Sequence, residues 1–378
     1  MKKNNLANLF RKQIVSTIVS IILGFIVAGA ILASIGFNPI KTYSTMFSGI
    51  FGKPRYIANT VISATPLILT GASVAFAFKT GLFNIGAEGQ YMFGFIVAGI
   101  LGIVLNLPPI IQVPVILIGG MLAGMIYGGF TGLLKAKFGV HEVITGIMLN
   151  WIAFYLNNFV AKASSLHMVN SEGTYPINPS GYIKFFPQMK STDEGIQELL
   201  KNPILGDIFV KSDVNIGIFI AIAVVIILNI IIKKSTLGYQ LRAVGFNKDA
   251  AEFAGINVKK NIIKSMAIAG AVAGLAGAVN ITALNPHQIL SLGVFTNYGF
   301  NGLAVALIAG NSIIGTVFAG LLFGGFLEGG KTIQSRLGAP SETISILIGI
   351  IIFFIAISKI LPVIIEKIQE KKKSKEEK

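Results

Sequence analysis

Residues 110–134 read IIQVPVILIGGMLAGMIYGGFTGLL and contain no charged side chain. A helix needs roughly 20 apolar residues to cross the hydrocarbon core of a bilayer, so this run predicts a transmembrane helix. One face of the run carries a glycine at every fourth position, and a later apolar run repeats that spacing. These glycines are Gly120, Gly124, Gly128, Gly132, Gly270 and Gly274. In lipid, such grooves let helix backbones approach closely, so we assign these glycines to helix packing rather than to ligand binding.

The rest of the chain follows the same pattern. Of its 378 residues, 53% are hydrophobic and only 12% are charged, which is typical of a membrane protein. Ten apolar runs are candidate spans, at about 14–36, 57–79, 86–105, 110–134, 141–161, 214–232, 262–283, 297–310, 312–327 and 342–362. The eighth and ninth runs are short and glycine-rich, and they could form a re-entrant pair instead of two full spans. We predict an all-α polytopic membrane protein of about ten transmembrane helices.

The positions of the basic residues predict the orientation of these helices. The net charge is +15, and Lys and Arg gather at the ends of the apolar runs. With the N-terminus in the cytoplasm, about two thirds of the 31 basic residues fall in inside segments, which favours ten spans with both termini cytoplasmic. The basic residues do not form a patch with interleaved aromatic residues on a soluble domain, so we expect no nucleic acid partner.

The same plan predicts the organisation of the chain. We expect a single domain over residues 1–378 with a transmembrane core at 14–362. The longest polar stretch, 162–213, falls outside the cytoplasm, and the charged tail at 363–378 falls inside it, where anionic lipids of the inner leaflet attract it. Spans 1 to 5 and 6 to 10 enter the membrane from opposite sides, so an inverted repeat of two five-helix halves would fit.

One inner segment, residues 233–264, carries the signals of a short capped helix. Asn247 can cap its N-terminal end, Asp249 and Glu252 suit that positive end, and Gly255 can end it. The apolar face of this helix of about two turns would consist of Ala250, Ala251, Phe253 and Ala254. A helix this short does not persist alone in water, so we expect a partner to pack on it. A solvated connection is the alternative.

Four stretches resemble the permease subunits of ATP-binding-cassette importers. They are GLFNIGAEGQ at 81–90, KFGVHEVITGIMLNWIAFYL at 137–156, LGYQLRAVGFNKDAAEFAGINV at 237–258 and NGLAVALIAGNSIIG at 301–315. That superfamily serves branched-chain amino acids, ribose and nucleosides, and residues 51–90 are most similar to its nucleoside branch. The resemblance covers about residues 14–362 and implies one permease domain, multi-pass in a prokaryotic cell membrane.

The resemblance also implies the partners of the chain. In such importers separate ATPase subunits bind ATP and magnesium, a second permease subunit, identical or paralogous, completes the pore, and an external substrate-binding lipoprotein delivers the substrate. Residues 233–264 would hold the coupling helix, which docks on the ATPase. The pattern of this coupling loop is carried by Gly238, Leu241, Arg242, Ala243, Gly245, Asn247, Ala250, Ala251, Gly255 and Ile256.

Motifs for catalysis are weak. The chain has no cysteine, which excludes a thiolate nucleophile and cysteine-bound zinc. GFLEGGKT at 325–332 matches the G-x-x-x-x-G-K-T phosphate loop, but an apolar glycine-rich run precedes it instead of a strand, so we interpret it as a chance match. His141-Glu142 is no zinc-protease signature, because Thr145 stands where the second histidine is needed. We expect no catalytic residue, no metal site and no cofactor bound by this chain.

Glu88 is a carboxylate in the turn that leads from the second to the third predicted span. Such a group is costly against lipid, so we expect it to face the helix bundle, water or a cation. In one interpretation it lines the substrate path or its inner gate together with Asn84 and Gln90. In the other, which we favour, it caps a broken helix or pairs with a basic residue such as Lys79 and fixes the turn.

Amide side chains can hydrogen-bond a ribose or a base, and an aromatic ring can stack on the base. The candidate residues of the translocation path or its gate are Asn84, Glu88, Gln90, Glu142, Asn150, Trp151, Asn157 and Asn301. Further candidates near the short runs are Asn280, Asn285, Asn297 and Asn311. We expect the permease subunit of an ATP-driven importer of nucleosides. The alternatives are the same importer class with a monosaccharide or a branched-chain amino acid as substrate, and an ion-coupled secondary transporter.

Overall fold

The computed structural model of the protein describes residues 13–190 and 192–358. Over these ranges the chain is all-helical, and the β-structure within them is limited to isolated bridges. The predicted all-α class is therefore confirmed. The predicted cytoplasmic tail at 363–378 lies outside the described residues.

The apolar runs coincide with helices. The helices before residue 162 are α1 (Gln13–Ser34), α2 (Pro39–Phe51), α3 (Pro54–Phe78), α4 (Ala87–Val104), α5 (Pro109–Phe138) and α6 (Glu142–Ala161). The later ones are α7 (Asp193–Leu200), α8 (Gly217–Lys234), α9 (Thr236–Phe246), α10 (Lys248–Phe253), α11 (Val258–Ala283), α12 (Tyr298–Ile308), α13 (Gly315–Leu337) and α14 (Ser341–Ile357). Shorter helical turns lie at Pro179–Gly181, Pro187–Lys190, Pro203–Leu205 and Gly206–Val210.

The number of candidate membrane spans is smaller than the sequence suggests. Within the described residues, the six helices α3, α4, α5, α6, α8 and α11 are long and apolar enough to cross a membrane. A seventh span results if α1 and α2, which meet at a bend of 119°, count as one broken span. Helix α2 was not predicted, because polar residues interrupt its apolar pattern. Helix α12 has 11 residues and a length of about 16 Å, too short to cross the bilayer alone.

Helix α13 corrects the end of the ninth predicted run. The helix continues to Leu337, ten residues beyond the predicted end at about 327. The GFLEGGKT sequence therefore lies inside a helix, where its backbone N–H groups form helical hydrogen bonds and cannot form a phosphate-binding loop. Its Glu328 and Lys331 form an ion pair of 2.5 Å one turn apart.

The chain divides into two compact units, one of residues 1–52 and 326–378 and one of residues 53–325. In the first unit α1 packs along α14, where a Cβ built on Gly24 would lie 3.1 Å from the Cα of Ile351. The hydroxyl of Tyr43 in α2 donates a hydrogen bond of 2.5 Å to the carbonyl of Phe25 in α1. All the candidate site residues belong to the second unit.

Helices α5 and α11 of the second unit pack through their glycines. A Cβ built on Gly124 would lie 2.3 Å from the carbonyl oxygen of Gly270, and one on Gly274 would lie 2.4 Å from the oxygen of Gly120. Early residues of α5 thus meet late residues of α11, so the two helices run antiparallel. Since no side chain fits at these distances, the glycines are what permits this close approach of the backbones.

The end of the second unit that holds residues 233–264 is called the basic end. There the segment rests on the turn between α3 and α4, and a Cβ on Gly245 would lie 2.3 Å from the carbonyl oxygen of Lys79. The hydroxyls of Thr80 and Ser265 are 2.8 Å apart in the same region. The turn after α3 and residues 233–264, both predicted as inner segments, therefore lie at the same end of the second unit.

The opposite end holds residues 162–213 and is called the loop end. Asn178 donates hydrogen bonds of 3.1 and 2.7 Å to the carbonyls of Ile103 and Leu105 at the C-terminal end of α4. Asp207 accepts a bond of 3.1 Å from the N–H of Arg55 at the start of α3, and this N–H lowers the pKa of the Asp207 carboxyl below its usual range. These bonds hold the long loop against the helix ends.

Residues 284–297, which join α11 to α12, form no helix and run from the loop end into the interior. Asn157 and Asn158 near the C-terminal end of α6 bind the carbonyls of Leu290 and Leu292 at 2.8 and 2.9 Å. Further along, Thr296 reaches the first turn of α4. We call residues 284–297 the entering segment.

Candidate substrate cavity and coupling segment

The entering segment encloses a cavity of about 170 Å³ together with α4, α6 and α11. Its aromatic lining comes from Tyr91, Phe95 and Tyr298, and the ring centroids of the two tyrosines are 5.1 Å apart. Its polar lining comes from Asn157, Asn280, Asn285, His287, Gln288 and Thr296. None of the fifteen residues that line this cavity, all in the described part of the chain, is Asp, Glu, Lys or Arg. The cavity thus offers amides and aromatic rings but no formal charge.

Among the described residues, two polar atoms of side chains that line the cavity are buried and lack a hydrogen-bond partner in good geometry. They are Nδ2 of Asn280, a donor, and Nε2 of His287. Nδ1 of His287 lies 2.8 Å from the carbonyl oxygen of Ile281, which makes Nδ1 the protonated nitrogen and leaves Nε2 of the neutral ring as an acceptor. The imidazole is 3% exposed and stacks on Tyr182 at 3.9 Å.

Charged groups stand beside the cavity at the loop end. Lys184 pairs with Asp213 at 2.9 Å and donates a bond of 2.9 Å to Oδ1 of Asn285. The amide nitrogen of Asn285 in turn donates to both carboxylate oxygens of Asp213, at 3.1 and 3.0 Å. These bonds fix the start of the entering segment to the long loop.

Glu88 lies at the other end of the entering segment and is 0% exposed. Its Oε1 accepts bonds from the Thr296 hydroxyl at 2.6 Å and the Asn297 N–H at 2.8 Å. Its Oε2 accepts from the N–H groups of Gly299 and Phe300 at 2.6 and 3.4 Å. These donors belong to the N-terminal end of α12, so the structure places Glu88 as the cap of a short helix, in line with the capping interpretation.

Three other predicted path residues, Asn84, Gln90 and Asn150, form hydrogen bonds in or beside the turn before α4. The amides of Asn84 and Gln90 pair with each other at 2.9 and 3.0 Å. Asn150 accepts from the N–H of Gly89 at 2.7 Å and donates to the Ile85 carbonyl at 3.1 Å. These contacts use the amides to fix the chain, so none of the three is placed in the cavity wall.

Glu142, Trp151 and Asn301 also lie outside the cavity wall. Glu142 forms an ion pair with Lys135 and accepts from the N–H of Phe83 at 3.4 Å. Trp151 is 45% exposed and meets the entering segment through Phe295, whose ring centroid is 4.8 Å from its own. Asn301 lies in the first turn of α12.

Among the candidate path residues, Asn157 lines the cavity, and so do Asn280 and Asn285 of the further candidates near the short runs. The sequence did not predict the other lining residues Tyr91, Thr296, Tyr298, His287 and Gln288. A tyrosine or a lone histidine in a membrane protein gives no local signal of a site. These residues become neighbours because the entering segment folds back between helices that are distant in sequence.

The coupling segment consists of α9 and α10. Oδ1 of Asn247 accepts from the N–H of Ala250 at 3.0 Å and so caps α10, and Gly255 follows it in the left-handed region with φ +78°. Leu241 is buried, and Gly238 lies so close to α8 that a Cβ would be 2.0 Å from the Ile231 oxygen. The predicted caps are therefore present.

The exposed face of α10 differs from the prediction in one residue. Phe253 is 95% exposed and Phe246, just before α10, is 90% exposed, whereas Ala251 is only 3% exposed. Ala251 belongs to a buried cluster with Leu82 and Val244 of the same unit, because the short helix must pack one face on its own protein. The apolar surface open to a partner is thus formed by the two phenylalanines with Ala250 and Ala254.

The remaining coupling residues attach this surface to the second unit. Ala243 and Ile256 are partly buried against the cluster that contains Ala251. Nε of Arg242 donates a bond of 3.3 Å to the Gly238 carbonyl one turn earlier. The segment therefore combines a buried base with an exposed apolar tip.

Comparison with known proteins places this arrangement in a family. Residues 56–356 match the permease component of branched-chain amino acid transport systems. The chain belongs to this permease family. The chain is 39% identical to the guanosine ABC transporter permease of Bacillus subtilis over 94% of its length and 96% of the relative. It is 35% identical to a nucleoside ABC transporter permease of Lactococcus lactis, with 94% of each chain covered.

A more distant relative carries another substrate in its name. The glucose ABC transporter permease of Haloferax volcanii is 26% identical over 90% of this chain and 87% of the relative. No solved structure matches the chain. As a member of this permease family, the chain is a multi-pass membrane protein and a permease subunit of an ABC importer.

Proposed function

We propose that this permease subunit translocates nucleosides and that the cavity between α4, α6, α11 and the entering segment is a station on their path. The observation that carries the proposal is the wall of that cavity, which combines two tyrosine rings and several amides with no formal charge. A nucleobase can stack on a tyrosine ring, and amides can bind base and ribose groups. The names of the two nucleoside permeases above agree with this substrate class.

The same wall argues against the alternative substrates. A branched-chain amino acid is a zwitterion, and a buried charge needs a charged or well-oriented partner. The cavity wall carries no charged side chain for that role. A monosaccharide would use the amides but has no aromatic ring to stack on Tyr91 or Tyr298. A nucleoside uses both kinds of group.

The ATPase would act through the exposed tip of the coupling segment. We assign the basic end to the cytoplasm, since basic residues favour that side. Phe246 and Phe253 would enter an apolar groove of the ATPase subunit, because such exposed rings are unfavourable in water. ATP and magnesium would bind to that partner, and its movement would switch the permease between inward and outward access. A second permease subunit and an external binding protein complete the proposed assembly in the prokaryotic cell membrane.

The ten-span topology remains part of the proposal. With the basic end inside, residues 162–213 lie outside, and both termini lie in the cytoplasm. The entering segment with α12 counts as one crossing made of an extended and a helical half, as broken helices do at transporter substrate sites. An inverted repeat of two five-helix halves is compatible with this order of crossings.

The substrate is tested by uptake of radiolabelled guanosine into cells that carry the chain with its cognate ATPase and binding protein. Unlabelled adenosine should compete, whereas ribose and leucine should not. Tyr91→Leu removes one ring of the cavity wall and should lower uptake several-fold, while Tyr155→Leu, a ring that is 63% exposed and outside the wall, should not. Competition by leucine but not by adenosine would overturn the proposed substrate.

Coupling is tested in the same cells with the double change Ala250→Glu and Phe253→Ser. Both side chains are exposed, so the protein should reach the membrane in normal amount but lose ATP-dependent uptake. Phe138→Ser, at a 70% exposed ring at the same end but outside the coupling segment, is the matched control. Uptake that persists in the double variant and without the ATPase would indicate an ion-coupled secondary transporter.

A further inference from the structure

The carboxylate of Glu88 joins two parts of the second unit that are far apart in sequence. It is 0% exposed and accepts hydrogen bonds from four residues around the start of α12, namely Thr296, Asn297, Gly299 and Phe300. The bonds from the Thr296 hydroxyl and the Gly299 N–H are both 2.6 Å long. The N-terminal end of a helix favours negative charge, which makes α12 a suitable partner for a buried carboxylate.

The hydrogen bonds of Glu88 to the start of α12 fix the positions of two residues of the cavity wall. Thr296 binds Glu88 directly, and Tyr298 follows the Asn297 N–H that Glu88 also binds. Tyr91, whose ring faces that of Tyr298 at 5.1 Å, lies one turn after Glu88 in α4. The same carboxylate therefore sets the spacing between the entering segment and α4 across the cavity.

Glu88 is also connected to the basic end. Glu88 lies in the first turn of α4, directly after the turn that supports the coupling segment at Gly245. Asn150 of α6 holds this turn through Ile85 and Gly89 at 3.1 and 2.7 Å. The turn between α3 and α4 therefore connects the coupling contact directly to the carboxylate.

We propose that Glu88 is a positioning residue, which fixes the entering segment and so the substrate cavity to the turn on which the coupling segment rests. The inference rests on the proposed function, because it takes this cavity to be the one that binds the substrate. A carboxylate suits this role because both oxygens accept. A glutamine would turn an NH₂ group against one pair of donors and leave buried N–H groups without an acceptor.

The absence of cysteine from the sequence gives a direct test. Leu292 lines the cavity four residues before Thr296, and Leu292→Cys creates a unique thiol there. Its alkylation rate by a small maleimide is measured in the full transporter in membranes, in the native background and with Glu88→Gln. Loss of a charged hydrogen bond in the interior should release the entering segment and raise the rate about tenfold.

Three further backgrounds separate a positioning role of Glu88 from general damage to the fold. Gln112→Glu alters another buried polar side chain, one that binds the Leu105 carbonyl and Leu107 N–H at 2.7 and 3.0 Å, and it should leave the rate unchanged. If Glu88→Gln does not reach the membrane, Thr296→Val and Thr296→Ser test the positioning role in its place. The valine removes a single bond to Glu88 and should raise the rate, whereas the serine keeps the hydroxyl and should not.

Guanosine is added in each background to keep the two proposals apart. Protection of the thiol by guanosine in the native background, lost with Glu88→Gln, supports both the cavity and the positioning role. A rate that rises with Glu88→Gln without guanosine protection in the native background supports positioning and overturns the nucleoside cavity. A rate equal in the native, Glu88→Gln and Thr296→Val backgrounds overturns the positioning role whatever guanosine does.

Discussion

Helices α10 and α12 are both short, and each follows an asparagine, but their N-terminal ends are stabilised differently. Asn247 before α10 is extended, with φ −159°, and its own side chain caps the helix through Ala250. Asn297 before α12 has φ +64° and makes no side-chain cap. There the cap is Glu88, which precedes it by more than 200 residues.

The difference fits the positions of the two helices. A locally capped helix keeps its N-terminal hydrogen bonds wherever it moves, which suits α10 with its exposed Phe253. A helix capped by a distant residue keeps them only in one position, so the cap also defines where α12 lies. The comparison implies that the caps of α10 and α12 should differ in their effect on the whole second unit.

The largest effect should follow from Glu88→Ala. The change leaves the buried N–H groups of Asn297 and Gly299 without their acceptor, and breaking a buried charged interaction from one side costs about 3–5 kcal/mol. Thermal unfolding of the detergent-solubilised protein measures the loss. A loss of unfolding free energy no larger than that of a local cap would show that α12 finds another acceptor. The caps of α10 and α12 would then not differ in their effect on the second unit.

The next effect should separate the two faces of α10. Ala251→Glu forces a carboxylate into the cluster around a side chain that is 3% exposed, which should cost about 3 kcal/mol of unfolding free energy. Ala250→Glu, on the exposed face, should leave the unfolding free energy within about 0.5 kcal/mol of the native value. Equal losses for the two variants would mean that α10 does not rest on Ala251.

A matched pair of glycines tests the crowding at the two helices. A Cβ on Gly299 would lie 2.2 Å from the backbone nitrogen of Glu88, whereas Gly255 has φ +78° and open space around it. Gly299→Ala should therefore cost about 2 kcal/mol through displacement of backbone, and Gly255→Ala about 1 kcal/mol through its conformation alone. Gly255→Asn, which tolerates the left-handed region, should recover most of the second loss.

Local features of the fold could be predicted from the sequence, and those set by distant contacts could not. The apolar runs, the cap at Asn247 and the turn at Gly255 depend on neighbouring residues, and the structure contains them. The cavity depends on the path of the entering segment, which has no apolar periodicity of its own. Asn157 was predicted by its chemistry, whereas Tyr91 and Tyr298 require the fold to bring their rings together.

For Glu88, too, the local sequence predicts the need for a partner but not the distant partner itself. The sequence indicates that a buried carboxylate needs partners, which narrowed its role to a cap, an ion pair or the path. The identity of the capped helix depends on which chain end reaches the first turn of α4, and nothing near residue 88 encodes that. The difference between the ten predicted spans and the six or seven candidate spans has a similar cause. Helices α12 and α13 depart from a simple span in length or composition.

The smallest effect should come from the local cap itself. Asn247→Ala removes the bond to the Ala250 N–H in an exposed position, where water can replace the lost acceptor, so the unfolding free energy should fall by about 1 kcal/mol or less. Asn247→Asp keeps the acceptor and should retain stability. The alanine variant should nevertheless lower ATP-dependent guanosine uptake, because a frayed α10 presents Phe253 less well to the ATPase. A large loss of stability with normal uptake would show instead that Asn247 is a structural cap and that α10 does not need this bond to contact the ATPase.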